Sequence, residues 1–481
     1  MANLKSVKYG AAALVALCIV EPLAAQPDLV ARAGAIHQRV ITLDTHNDID
    51  PANFTADCNY TMRLTTQVNL PKMKEGGMDV SFMVVYVGQQ NPPQFADAFQ
   101  PSGYERAYKA AIAKFDAIHR LTEQIAPKDI ELALTAADVV RIANSGKKVA
   151  VIGIENGYPL GTDINRVKEF WQRGGRYLSL AHNGHSQLAD SHTGEAANEW
   201  RWGGLSPLGR QVIQEMNKWG IMVDISHPSK GSMMQAIGLS KAPVIASHSG
   251  IRRLANTSRN LDDEQLTAIR TNGGVVQLVG LSGFVKVDPP ERAPAISALR
   301  QEFGLADAGG RGAPPTASGC PIEAPATVGS QGSQGLRGSQ GSGSARGSGS
   351  QGSRGGGGRG GRGAAGLETL SADRRAEFER RMAEIDRKWP AAGRASVKDF
   401  VDGIDYAVKL MGLDHVGISS DFDGGGGIDG WNSAAESFNV TLELVRRGYT
   451  EEQIGKIWSG NLLRVWRETE RVAQDIQGGP R

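Results

Sequence analysis

Short apolar segments recur along the chain, and most are separated by stretches with helical periodicity. The apolar segments are rich in β-branched residues, which is typical of buried strands. Eight strands are predicted, at residues 40–43, 81–87, 149–154, 177–181, 221–225, 243–247, 274–279 and 415–419. Helices are predicted at residues 27–38, 104–125, 135–145, 164–174, 207–219, 230–239, 262–271 and 397–411. This alternation predicts an α/β protein, and eight units favour a closed, TIM-like (β/α)8 barrel over an open sheet.

Histidines and acidic residues follow the carboxyl ends of six of the eight predicted strands. These residues are His46, Asp48, Glu155, His182, His227, His248 and Asp421. The carboxyl ends of barrel strands form one face of the molecule, where the active sites of this fold lie. A single histidine after a strand is more often a turn residue or a core residue, but the recurrence on one face favours a shared chemical role.

Five of these residues carry side chains that bind divalent metal ions. They are His46, Asp48, Glu155, His227 and His248, and such a mixture of imidazole and carboxylate suits zinc. An open catalytic zinc site normally has three protein ligands, so five ligands indicate two metal ions that share a carboxylate. Glu155 lies on a strand between the two histidine groups and is the expected bridge. His185 and His192 are predicted to be loop residues rather than ligands.

One segment, residues 303–366, departs from the pattern because it is rich in Gly, Ser, Gln and Arg. Such a composition buries too little apolar surface to offset the entropy of ordering, which predicts a disordered insertion. The predicted organisation is therefore one metal-dependent hydrolase barrel, at residues 26–302 and 367–475, with the insertion after the seventh strand. The arginines leave contact with an anionic surface as an alternative to a passive solvated loop.

The N-terminus has the features of a signal peptide at residues 1–25. Lys5 and Lys8 precede an apolar stretch, residues 10–20, that is too short to span a bilayer. Small residues before Gln26 predict cleavage there, so we expect an exported protein without a transmembrane span. Cys58 and Cys320 could pair in that oxidising compartment, although their presence alone does not establish a disulfide. The net charge of +2 gives no indication of a nucleic-acid partner.

Nine motifs resemble the membrane dipeptidase (renal dipeptidase) family, peptidase family M19, and occur in the family's order. They are DTHND at 44–48, GIENG at 153–157, RYLSLAHN at 176–183, GLSPLGRQVIQEMN at 204–217, VDISH at 223–227, PVIASHSG at 243–250, SRN at 258–260, VGISSDFDG at 416–424 and NLLRVW at 461–466. The resemblance covers residues 28–469 apart from the insertion. It implies an amidohydrolase-like barrel that holds two zinc ions, one on His46, Asp48 and Glu155, the other on Glu155, His227 and His248.

The resemblance also implies roles for three further residues in hydrolysing a dipeptide with a metal-bridging hydroxide. His182 contacts the scissile carbonyl, Arg259 pairs with the free carboxylate, and Asp421 lies by the amine and transfers the proton. Arg252 and Arg253 are rivals of Arg259, and Asp423 is a rival of Asp421 that points the same way if the strand stays extended. The family implies a homodimer, and it leaves open whether a C-terminal D-residue is accepted.

Two alternatives and two departures accompany this interpretation. The alternatives are another barrel metallohydrolase, acting on a different amide, a lactone or a phosphoester, and a catalytically silent binding protein with the same fold. Tyr158 occupies a position where many relatives have a second histidine. The seventh predicted strand ends without the aromatic residue that mammalian members place near the substrate. These departures bear on side-chain preference rather than on the metal chemistry.

Overall fold

Nine parallel strands form one sheet in the computed structural model, which describes residues 25–89, 96–305, 320–323 and 367–479. Their polar carboxyl-terminal ends all lie at the same side of the sheet because every pairing is parallel. The strands are β1 (Leu43–Asp48), β2 (Val80–Tyr86), β3 (Ile130–Leu132), β4 (Lys148–Glu155), β5 (Gly175–Ser179), β6 (Met222–Asp224), β7 (Ile245–Ser249), β8 (Val275–Val279) and β9 (Val416–Ser419).

Eight of the strands form a nearly closed barrel in the order β1-β2-β4-β5-β6-β7-β8-β9. At the seam, the amide of Asp48 donates to the carbonyl oxygen of Phe422 at 2.9 Å, which joins β1 to the segment after β9. The predicted (β/α)8 barrel is therefore confirmed. The sequence did not predict β3, which has only three residues and pairs with β4 outside the barrel order.

The first strand begins later than predicted. The amide of Val40 donates to the carbonyl oxygen of Ile36, so Val40 completes the end of a helix instead of opening the strand. The strand starts at Leu43 and continues through His46 to Asp48, so these two side chains project from the strand itself. The strand was predicted to begin too early because apolar residues precede Leu43. An apolar residue can be buried without belonging to a strand.

Fifteen α-helices occur in the described part of the chain. They are α1 (Ala25–Arg39), α2 (Leu70–Gly76), α3 (Pro101–Arg120), α4 (Ala136–Asn144), α5 (Asn165–Gln172), α6 (Pro207–Trp219), α7 (Lys230–Leu239), α8 (Asp263–Asn272), α9 (Ser282–Val285), α10 (Arg292–Glu302), α11 (Ala372–Lys388), α12 (Val397–Met411), α13 (Phe438–Arg446), α14 (Glu451–Gly455) and α15 (Asn461–Ile476).

Helix α6 shows how capping residues mark the two ends of a predicted helix. The Ser206 side chain accepts a hydrogen bond from the amide of Gly209, Pro207 opens the first turn, and Gly220 ends the helix with φ of 80°. Each feature satisfies or removes an unpaired backbone group at a helix end. Helices α6, α7 and α12 match their predicted ranges residue for residue.

The barrel interior is filled by apolar side chains from the amino-terminal halves of the strands and from α15. Phe82 and Tyr177 are fully buried there, and the Trp466 ring lies 6.2 Å from that of Phe82. The last motif of the sequence therefore packs against the barrel interior. This packing leaves the carboxyl-terminal end of the barrel for the polar residues.

Part of the predicted insertion is fixed to the barrel. A disulfide joins Cys58 to Cys320, and the amide of Thr65 donates to the carbonyl oxygen of Pro321 at 2.6 Å. Residues 306–319 and 324–366, and the predicted signal peptide except for Ala25, lie outside the described residues. In the part of the chain that is described, no helix is both long and apolar enough to cross a membrane.

Candidate active site

Glu155 lies at the centre of a cluster of histidines at the carboxyl-terminal end of the barrel. Its Oε1 atom lies 3.0 Å from Nε2 of His227 and 3.2 Å from Nε2 of His248. The two Nε2 atoms are 3.0 Å apart. Atoms bound to one tetrahedral zinc at about 2.0 Å lie roughly this far from each other. These three side chains could therefore hold one metal ion.

The other oxygen of Glu155 faces a second group of side chains. Its Oε2 atom lies 3.6 Å from Nε2 of His46, and that nitrogen is 4.0 Å from carboxylate oxygens of both Asp48 and Asp421. His46 and Asp48 both come from β1. The five predicted ligands therefore lie in one cluster, with the Glu155 carboxylate between the two groups.

The hydrogen bonds around two of the histidines direct Nε2 into the cluster. The Tyr177 hydroxyl donates to the carbonyl oxygen of Thr45 at 3.1 Å, so it accepts from Nδ1 of His46 at 3.0 Å. With the proton on Nδ1, the lone pair of Nε2 is free to bind a metal.

The same arrangement holds His248. Ser247 donates its hydroxyl proton to the Asp224 carboxylate at 2.6 Å, and its oxygen lies 2.9 Å from Nδ1 of His248. The serine oxygen therefore accepts from Nδ1, which again leaves Nε2 free. Sequence reasoning missed the supporting roles of Tyr177, Ser247 and Asp224. All three stand inside the motifs it identified, but only the fold shows what they contact.

Burial sets the protonation of the cluster. It lowers the pKa of His46, His227 and His248, which favours the neutral imidazole that binds metal. Burial raises the pKa of Glu155, and burial together with the Glu155 carboxylate raises the pKa of Asp48. Ionised carboxylates are costly in this place unless a cation neutralises them. The donor set and its environment therefore fit divalent metal ions.

Four residues beside the cluster adopt the left-handed backbone conformation although they are not glycine. They are Asn156 (φ 72°), His227 (φ 78°), Asp421 (φ 60°) and Asp423 (φ 62°). This region is uncommon for residues with a Cβ atom, and such strain concentrates at functional sites. All four follow the end of a strand, where the chain turns sharply at the rim of the barrel.

The left-handed turn separates the two candidate acids after β9. Asp421 and Asp423 would point the same way on an extended strand, but the chain is not extended there. Asp421 faces His46, whereas Asp423 accepts hydrogen bonds from the backbone amides of Gln67 and Val68 at 2.8 and 3.2 Å. Asp423 therefore fixes the loop after β1, and Asp421 lies in the cluster.

Arg259 is the buried member of the three candidate arginines. Its guanidinium donates to Ser249 Oγ at 2.9 Å and to the His248 carbonyl oxygen at 2.6 Å. Its Nε has no hydrogen-bond partner among the described residues, and burial lowers its pKa to about 10. Arg252 pairs with Glu195 instead, and the side chain of the third arginine is exposed.

An aromatic residue does lie next to Arg259. The sequence analysis found no aromatic residue at the end of the seventh predicted strand, which is β8 in the structure. The Phe284 ring centre lies 5.5 Å from the Arg259 guanidinium carbon. Phe284 belongs to α9, five residues beyond the end of β8, so strand-based reasoning did not connect the two. The stacked ring and the unpaired Nε together make this a place for a carboxylate ligand.

His182 lies beside the end of β2. Its Nε2 is 3.8 Å from Oε1 of Glu155, and its Nδ1 is 3.1 Å from the Tyr86 hydroxyl. His192 contacts Ser258 and Asn183 at 3.0 Å each and, like His185, joins none of the metal-ligand groups found among the described residues. Tyr86 is a further site residue that the sequence analysis did not assign.

The fold and the cluster define a metal-dependent hydrolase on a (β/α)8 barrel. A family model described as membrane dipeptidase, peptidase family M19, matches residues 30–479. The chain belongs to the membrane dipeptidase family and is a metallo-dipeptidase by class.

Relatives of known name support this assignment. The chain is 25% identical over 419 residues to dipeptidase tcpJ of Claviceps purpurea (strain 20.1), a match that covers 87% of this chain and 73% of the relative. It is 25% identical over 453 residues to dipeptidase aclJ of Aspergillus oryzae (strain ATCC 42149 / RIB 40), covering 91% and 80%.

Solved structures share the fold. The probable dipeptidase PvdM from Pseudomonas aeruginosa is 27% identical with a TM-score of 0.69, covering 93% of this chain and all of that one. A metallo peptidase from Rhodobacter sphaeroides, liganded with a phosphinate mimic of the dipeptide L-Ala-D-Ala, is 20% identical with a TM-score of 0.58. That match covers 89% of this chain and 99% of the other.

Proposed function

We propose that the protein hydrolyses free dipeptides with two zinc ions bound at the Glu155 cluster. The observation that carries the proposal is the position of the Glu155 carboxylate. One oxygen faces His227 and His248, and the other faces His46. A carboxylate whose two oxygens face different groups of ligands would suit a site for two metal ions.

Unpartnered atoms support the assignment of ligands. His46 Nε2 and Glu155 Oε1 are buried and have no hydrogen-bond partner among the described residues. Buried polar atoms are nearly always satisfied, so such atoms at the centre of a site indicate a ligand that completes them. His46, Asp48 and Glu155 would hold one zinc ion, and Glu155, His227 and His248 would hold the other.

Metal ions held by these residues would supply a water of lowered pKa and would polarise the scissile carbonyl. Asp421 is the residue that takes and returns the proton, since burial and the neighbouring Asp48 raise the pKa of its carboxyl. Its carboxylate also faces the cluster, 4.0 Å from Nε2 of His46.

His182 stabilises the developing negative charge on the carbonyl oxygen. The Tyr86 hydroxyl has no other hydrogen-bond partner among the described residues, so its proton is available to Nδ1 of His182. The imidazole proton then lies on Nε2, the nitrogen that faces Glu155 and the metal cluster. A donor fixed in this orientation before reaction is the arrangement that favours an oxyanion.

Arg259 limits the length of the substrate. Its unpaired Nε and planar guanidinium fit the terminal carboxylate of a peptide. The carboxylate anchor and the metals together define a distance that a dipeptide spans, so longer peptides place the wrong bond at the metals. This restriction favours a dipeptidase over an endopeptidase.

The first test is hydrolysis of a dipeptide panel with metal content measured on the same sample. The panel includes L-Ala-L-Ala and L-Ala-D-Ala, since a mimic of the latter was bound to the Rhodobacter sphaeroides protein. We expect about two zinc ions per chain, loss of turnover on chelation and turnover of both stereoisomers.

Glu155→Gln tests the bridging carboxylate in the same assay. We expect kcat/KM to fall more than about a hundredfold, because even outer partners of metal ligands are worth 10- to 100-fold. Glu379→Gln, at an exposed position on α11, is the matched control and keeps full activity. Metal binding without dipeptide turnover would contradict the proposal and favour a lactone or another amide. Absence of both would favour a silent binding protein.

Export and homodimer formation stay predictions. We expect the exported fraction to contain a mature chain that begins at Gln26. We also expect the protein to sediment at twice the mass of that chain.

A further inference from the structure

Lys114 places a cation at one edge of the site. It belongs to α3, and its Nζ donates at 2.9 Å to the carbonyl oxygen of Ile49, the residue that follows Asp48. The ammonium group lies 6.0 Å from the ring centre of Tyr86, at the end of β2. Lys114 therefore lies above the carboxyl-terminal ends of β1 and β2.

Arg259 lies at the opposite edge. It follows β7, and β7 is the strand across the barrel from β2 in the strand order. The metal cluster lies between these two edges. A dipeptide whose terminal carboxylate binds Arg259 consequently extends its first residue toward Tyr86 and Lys114.

The ammonium group of Lys114 is not neutralised by an ion pair. No carboxylate oxygen of the described residues lies within 4.0 Å of it, and Asp48, Glu155 and Asp50 act on it only from a longer distance. An ammonium group has three donors, and the Ile49 carbonyl takes one of them. The remaining N–H donors of this half-buried cation can bind an anionic group of the ligand.

We propose that Lys114 recognises an acidic side chain on the first residue of the dipeptide, so that the preferred substrates are of the Glu-Xaa class. The inference rests on the proposed dipeptidase function. A side-chain carboxylate forms a charge-assisted hydrogen bond with the ammonium group, and a neutral amide of the same shape forms a weaker one. The site then carries one cation for each carboxylate of the substrate.

Another role for Lys114 is to offset the negative charge of Asp48. That role is structural, and it predicts that replacing the lysine lowers kcat/KM by the same factor for every substrate. Selectivity between two substrates that differ only in charge therefore separates the two roles.

The experiment compares kcat/KM for Glu-Ala and Gln-Ala, with Ala-Ala as a reference, in the zinc-loaded protein. The wild type is expected to prefer Glu-Ala over Gln-Ala by about tenfold, the worth of one charge-assisted hydrogen bond. In Lys114→Met the ratio falls to about one, and in Lys114→Arg a preference for Glu-Ala remains. Lys109→Met removes an exposed charge from the same helix and keeps the wild-type ratio.

Three results would overturn the inference. One is a wild-type protein that does not prefer Glu-Ala, which needs no variant and so does not depend on folding. Another is a Lys114→Met variant whose ratio of kcat/KM for Glu-Ala to that for Gln-Ala is unchanged, including a variant in which kcat/KM falls equally for all three dipeptides. Failure to hydrolyse any of the three dipeptides would refute the dipeptidase function itself, and the inference with it.

Discussion

At the scale of the residue, the chemistry depends on which nitrogen of each histidine carries the proton. Tyr177 holds the proton of His46 on Nδ1, and Ser247 does the same for His248. Neither supporting residue touches the cluster centre, yet each determines that a lone pair faces it. The identity of the ligands and the orientation of the ligands are therefore separate properties of the chain.

The two acids after β9 allow a sharp test at this scale. Asp421→Asn removes the proposed proton carrier and is expected to lower kcat by about 10²- to 10⁴-fold. Asp423→Asn disturbs only the hydrogen bonds to Gln67 and Val68, so it lowers the melting temperature and leaves kcat within a few-fold. Steady-state kinetics and thermal unfolding of both zinc-loaded variants distinguish these effects. Equal losses of kcat would remove the assignment of Asp421.

At the scale of the element, short turns after the strands position the side chains of the candidate site. In the turn after β9, Gly424 lies against the carboxylate oxygens of both Asp48 and Asp421. Its amide also donates to the carbonyl oxygen of Asp421 at 3.2 Å. The motif that closes the barrel needs a glycine here because a Cβ atom would occupy the space of the two carboxylates.

Gly424→Ala is therefore expected to damage the site. The added methyl displaces the two carboxylates, and a misplacement of about 1 Å costs roughly a hundredfold in rate. Zinc content and kcat/KM are the measurements, and both are expected to fall. Gly238→Ala, at an exposed position on α7 where a Cβ atom meets no neighbour within 4 Å, is the control. It keeps activity and gains about 0.5–1 kcal/mol of stability. A fully active Gly424→Ala protein would contradict this prediction, because it would show that the turn accommodates a Cβ atom without displacing the two carboxylates.

At the scale of the whole molecule, long-range contacts join segments that are far apart in the chain. The disulfide between Cys58 and Cys320 closes a separation of 262 residues. His37 makes a similar connection, since its Nδ1 lies 2.7 Å from the Thr441 hydroxyl and its Nε2 lies 2.8 Å from the Gly76 carbonyl oxygen. This histidine holds α1, α2 and α13 together, away from the metal cluster.

His37 makes global stability depend on pH. Burial lowers its pKa below the ordinary value of 6.5, so the unfolded chain binds a proton at a higher pH than the folded chain does. As pH falls below 6.5, the free energy of unfolding decreases by up to about 1.4 kcal/mol per pH unit, until the folded pKa is reached. Urea unfolding of wild type and His37→Gln between pH 7 and 5 measures this. Between pH 7 and pH 5, the free energy of unfolding is expected to fall more for the wild type than for His37→Gln. Parallel stability curves would show that His37 does not contribute.

The sequence by itself determined the order of the eight barrel strands, the exact bounds of α6, α7 and α12, and the set of candidate metal-binding side chains. These properties are local or periodic, so they can be read from spacing and residue type. Only the tertiary structure decided that Asp421, not Asp423, faces His46, and that Phe284 accompanies Arg259. It also placed Lys114 across the barrel from Arg259. Those relations depend on left-handed turns and on strands that meet only when the barrel closes, and no pattern along the chain encodes such distances.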